Sequence, residues 1–162
     1  MKKVKQTIIT TLTILLSAWI LYGQLNASSQ PHEAVEKAAK KEGIHLNETA
    51  ITHLEDNHAY TLYYTDDSYG FALTEKNMFG WKVVNFIEGL PLTEALANYG
   101  YSFSNGVMHG IVTSFVSGVQ IGEQGSNIQN VPGQNLRVWY NVNVTPEDAK
   151  SIKFISKNGL EF

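Results

Sequence analysis

Few residues in this 162-residue chain stand where chemistry would need them. His32-Glu33-Ala34-Val35-Glu36 opens like the helical zinc-protease motif, but Glu36 occupies the place of the second histidine, so the paired imidazole site is missing. His53 and His58, with Glu55 and Asp56 between them, would meet at one ion only across a bend, and scattered surface histidines are the simpler reading. Asp66-Asp67-Ser68-Tyr69-Gly70 resembles the start of a calcium loop without the acidic residue that closes one, as a hairpin turn would. There is no Gly-x-Ser-x-Gly elbow and no phosphate loop ending in Lys-Thr or Lys-Ser. Absence of Cys excludes thiol catalysis, disulfides and thiolate metal sites. Glu88 and Glu94, flanking Gly89-Leu90-Pro91, are the acid pair to weigh for a glycosidase-like site, although two unpaired, solvated carboxylates are by far the simpler reading. No catalytic residue, metal site or cofactor is assigned.

Aromatic residues offer a different kind of site. Tyr63, Tyr69 and Trp81, with Tyr64 and Phe71, would make a platform for a sugar or peptide if their rings faced solvent. Along residues 60–65 the alternation places Tyr60, Leu62 and Tyr64 on one face, expected to be core, and Tyr63 on the other, expected to face water. The corner Phe79-Gly80-Trp81-Lys82 also has a structural reading: Gly80 permits a bend, and the flanking rings plug the end of a β-layer.

The elements that must position these residues begin with an address. Lys2, Lys3 and Lys5 precede about fifteen uncharged, mostly apolar residues from Ile8 to Tyr22, the pattern of an export segment. That length is at the upper limit for a signal peptide and short of the roughly 20 residues that span a bilayer comfortably. Cleavage after Ala27 would put Leu25 where a small residue is preferred, so residues 1–27 read either as a signal peptide or as a membrane anchor through residues 7–22. Both place the lysines in the cytoplasm and the remainder outside. Without its three N-terminal lysines the exported part has nine basic against fifteen acidic residues, a net charge of −6, which disfavours nucleic acid as a partner.

Residues 28–31 form a short polar linker, and Pro31 suits the first position of a helix over 31–42. Ala34, Val35, Ala38 and Ala39 give that helix one narrow apolar stripe, Glu33 and Lys37 are spaced to pair, and Gly43 stops it. Strands are then expected at 50–55, 59–65, 70–75, 81–86, 109–116, 119–122, 136–142 and 151–155, with a short helix over 91–100 and a polar mobile loop within 118–134. Turns fall at Asp66-Asp67-Ser68, Lys76-Asn77 and Asn158-Gly159. The fold class is α+β and mainly β: an export or anchor helix, one amphipathic helix, and two antiparallel β-meanders, 50–88 and 106–162, sharing the core of a single domain over 28–162.

The stretch His58-Ala59-Tyr60-Thr61-Leu62-Tyr63-Tyr64-Thr65, with Tyr69-Gly70-Phe71-Ala72-Leu73-Thr74-Glu75-Lys76 and the Phe79-Gly80-Trp81-Lys82 corner, resembles small uncharacterised secreted or membrane-anchored envelope proteins of Gram-positive bacteria. Gly110-Ile111-Val112 and Val138-Trp139-Tyr140 are similar in layout. The resemblance implies an extracytoplasmic location and a β-rich domain, and it brings no catalytic residue with it. The expected function is non-catalytic binding or sensing of an envelope protein or cell-wall component. The alternative is a hydrolase of cell-wall or extracellular polymer acting through an unrecognised carboxylate pair.

Overall fold

The computed structural model describes residues 2–92 and 100–161. It is mainly β, with two helices and antiparallel sheets. Helix α1 runs Lys2–Asn26, and its segment Ile8–Asn26 is long and apolar enough to cross a membrane, with no residue of it fully buried. Its threonines do not disrupt it. The hydroxyls of Thr10 and Thr13 donate to the carbonyls of Gln6 and Ile9, at 3.0 and 2.9 Å, and so find acceptors inside the helix.

Helix α2, Pro31–Glu42, begins and ends where its local signals place it. Pro31 supplies the fixed φ of a first helical turn, and Glu33 Oε2 accepts from the Gln30 and Ser29 amides and the Ser29 hydroxyl, satisfying groups at the N-terminus. Gly43 ends it at φ 75°, a left-handed conformation that a Cβ would penalise.

Eleven strands follow among the described residues. In the first half β1 (Glu48–Glu55), β2 (His58–Tyr64), β3 (Ser68–Asn77) and β4 (Gly80–Pro91) pair in sequence as one meander. The second half holds β5 (Tyr101–Ser104), β6 (Val107–Thr113), β7 (Val116–Ile121), β8 (Gln124–Gly125), β9 (Asn127–Asn130), β10 (Leu136–Asn141) and β11 (Ile152–Ser156). Here some neighbours are not consecutive: one sheet has the order β5-β6-β10-β9, the other β11-β7-β8. Strand β10 returns beside β6 with Trp139 opposite Gly110, and β11 pairs with β7.

Several boundaries differ from expectation. The strand expected over 109–116 is broken by a turn at residues 114 and 115, which separates β6 from β7 and delivers them to different sheets. Within 118–134, the end of β7, β8 and β9 occupy much of the stretch expected to include a loop, and residues 131–135 form the turn into β10. The Lys76-Asn77 turn lies two residues later, at Met78-Phe79. Of the helix expected over 91–100, residues 93–99 lie outside the described residues, and Pro91 closes β4.

The chain divides into two compact units, Met1–Tyr63 with Phe71–Phe86, and Tyr64–Gly70 with Ile87–Phe162. In the first, the apolar stripe of α2 packs on the sheet: Ala34 meets Ala59 and Trp81, while Val35 meets Tyr63 and Ala72. In the second, Met108, Val112, Val119, Ile121, Trp139 and Phe154 form one core, with the Trp139 and Phe154 rings edge to face at 6.2 Å.

Candidate functional site

The three aromatic residues singled out by sequence do not form an exposed platform. Tyr63, Tyr69 and Trp81 are only 5%, 1% and 6% exposed. Tyr63 was expected to face water by simple alternation, but α2 covers the side of β2 that carries Ala59 and Tyr63, and Tyr63 stacks edge to face on Phe86 at 5.8 Å. Trp81 plugs the layer between α2 and β4, as the structural reading of the corner requires, and the Lys76 ammonium lies 5.8 Å from its ring centroid. Tyr69 belongs to the other unit, where its hydroxyl is 2.8 Å from His109 Nδ1.

What the corner does instead is grip the end of α1. Phe79, in the turn between β3 and β4, meets the Trp19 ring edge to face at 5.1 Å. It also lies against Gly23, where a Cβ would come within 2.5 Å of the Phe79 ring, so only glycine admits this approach. One residue beyond α1 and Ala27, Ser28 forms an antiparallel bridge with Trp81: the Ser28 amide donates to the Trp81 carbonyl at 2.9 Å, and the Trp81 amide to the Ser28 carbonyl at 2.8 Å. The Lys37 ammonium donates to the carbonyls of Leu25 and Ala27, completing the C-terminal end of α1 with a cation where the helix dipole favours one. The pairing expected between Glu33 and Lys37 is thus replaced: each serves a helix end.

Beside this junction is a cleft of about 440 Å³ between α2 and β4, bordered by Lys37, Lys41, Lys82, Glu42, Asn26 and Asn85. Three ammonium groups against one carboxylate give it a basic character opposite to the acidic balance of the chain. A second hollow, about 340 Å³ and mostly apolar, lies where Trp19, Tyr22 and Gly23 face Met78 and Phe79.

No family, no curated protein and no solved structure matches this chain.

The remaining candidates are dispersed. Among the described residues no group of three or more His, Asp or Glu is placed to hold a metal ion. His53 lies by the Tyr60 ring, at 6.5 Å between centroids. Glu88 is exposed on β4, and Glu94 falls outside the described residues. Sequence reasoning missed Trp19, Gly23, Lys37 and Lys82 as members of a site. The available signal was the adjacency of Trp81 and Lys82 in the corner; nothing in the local pattern links either to residues 19–37.

Proposed function

We propose that the chain is a membrane-anchored extracytoplasmic domain that binds an envelope component, with the basic cleft between α2 and β4 as the binding site. The observation that carries this reading is the junction: α1 has the length and apolarity of an anchor, and its last turns are packed, bridged and capped by the domain. Removing α1 would strip Phe79 of its cover and leave Lys37 without its carbonyl partners, which supports a retained anchor over a cleaved signal peptide. Lys2, Lys3 and Lys5 then lie on the cytoplasmic side and the cleft on the outer side. Three lysines around a concave surface suit a phosphate or carboxylate group, such as those carried by polymers of a Gram-positive wall. Tyr63 and Trp81 support the fold around the site, and Tyr69 is part of the interior of the second unit; none of the three meets the ligand.

Co-sedimentation of the full chain, in detergent micelles, with purified cell walls tests this, with the double variant Lys41→Gln/Lys82→Gln for comparison. Saturable binding that weakens with salt and in the variant supports the reading. Binding that ignores both moves the site elsewhere. Failure to bind overturns the wall-component reading and directs the search to protein partners trapped by cross-linking in intact cells.

A further inference from the structure

We infer that the turn between β3 and β4 is a second membrane contact, with Met78 and Phe79 seated in the outer leaflet of the bilayer that α1 crosses. The inference rests on the anchor reading above, and depth carries it. Ile8–Asn26 is 19 residues long, which at about 1.5 Å per residue spans roughly 28 Å, close to the ~30 Å hydrocarbon thickness of a bilayer. Phe79 does not touch the outer end of this segment. It meets Trp19 and Gly23, seven and three residues before Asn26, which places the turn roughly 5–10 Å below that end along the helix axis. A span that crosses the membrane therefore carries the turn into the outer leaflet, roughly 5–10 Å past the headgroup–acyl boundary.

The chemistry of the turn suits that depth. Asn77-Met78-Phe79-Gly80 has no charge, and Met78, at 79% exposure, is the most exposed of the large apolar side chains outside α1 among the described residues. In water that exposure has no compensation; against lipid it is burial. Trp19 and Tyr22, which line the hollow beside Met78 and Phe79, supply the amphipathic rings that favour the interface. The mostly apolar hollow lined by Trp19, Tyr22, Met78 and Phe79 would then be filled by acyl chain.

The absence of Cys allows single-site labelling of the full chain. Met78→Cys, Asp67→Cys and Ile14→Cys would each carry an environment-sensitive fluorophore in vesicles of phosphatidylcholine and phosphatidylglycerol. Quenching is read from nitroxide-bearing lipids and from aqueous iodide. Position 67, exposed in the turn between β2 and β3, is the water reference, and position 14 reports whether α1 is in the bilayer. The expected result is lipid-borne quenching at 78 several-fold above that at 67, with iodide quenching several-fold below it. Position 14 in lipid with 78 as open to iodide as 67 overturns the turn contact and leaves the anchor standing. Position 14 open to iodide overturns the anchor and the turn contact together.

Discussion

The Tyr69 hydroxyl and His109 Nδ1, 40 positions apart in sequence, lie 2.8 Å from each other in the interior of the second unit, with the two rings perpendicular at 5.5 Å. His109 is fully buried on β6, opposite Ser102 of β5 and Tyr140 of β10. Burial disfavours charge on both groups, raising the Tyr69 phenol and lowering the imidazole to about 4.

That shift predicts acid sensitivity. The folded state holds His109 neutral down to about pH 4, whereas the unfolded chain protonates it from about pH 6.5 downward. Between those values the unfolded state binds more protons, so the contribution is complete above about pH 6.5 and is lost as pH falls toward 4, by up to about 3 kcal/mol. Denaturant unfolding of the full chain at pH 7.5 and 4.5 measures it. His109→Gln should flatten the difference; an unchanged pH dependence in that variant would assign the loss to other groups.

Gly110 lies opposite Trp139, and an added Cβ would collide with the Gly100 carbonyl oxygen and come 2.8 Å from the indole nitrogen. Gly110→Ala is therefore expected to cost roughly 1–3 kcal/mol through overpacking, with a changed near-ultraviolet circular dichroism signal. Gly125→Ala, where nothing lies within 4 Å, should leave both almost unchanged. Equal losses in the two variants would refute the packing argument.

Trp19 and Phe79 should be energetically coupled. A double-mutant cycle with Trp19→Ala and Phe79→Ala in detergent is expected to give a coupling of about 0.5–1.5 kcal/mol, the range for edge-to-face aromatic pairs. Additive effects would mean that α1 and the turn do not hold each other in solution.

Lys37→Gln removes the charge from the end of α1 while keeping a polar side chain. Because the contact is exposed, the expected destabilisation is modest, about 0.3–1 kcal/mol. Faster amide exchange should be confined to residues near the α1 end and the Ser28 bridge, read by hydrogen–deuterium exchange. Uniform acceleration throughout the first unit would indicate a global effect instead.

Local signals made α2 legible: Pro31, the small-residue stripe and Gly43 specify start, face and stop within twelve residues. Strand β5 was equally local and was overlooked; Asn105-Gly106, both at positive φ, is the hairpin dipeptide that joins it to β6. The burial of Tyr63 could not be read from alternation, because that rule assumes one face in water and β2 is buried along nearly its whole length. The return of β10 beside β6 and the meeting of Trp19 with Phe79 are long-range choices with no local pattern. The candidate site was the least legible part, since its lysines and rings come from three separated stretches.

The Ser28–Trp81 bridge leaves Ala27 as the single residue between helix α1 and the paired backbone. One residue extends at most about 3.6 Å. With α1 in a bilayer, the first unit has no leash: it cannot sample the thickness of an envelope for a distant target, and a ligand of the basic cleft must come close to the membrane to be met. The same lack of slack means that a force or tilt imposed on β4 passes directly into the helix.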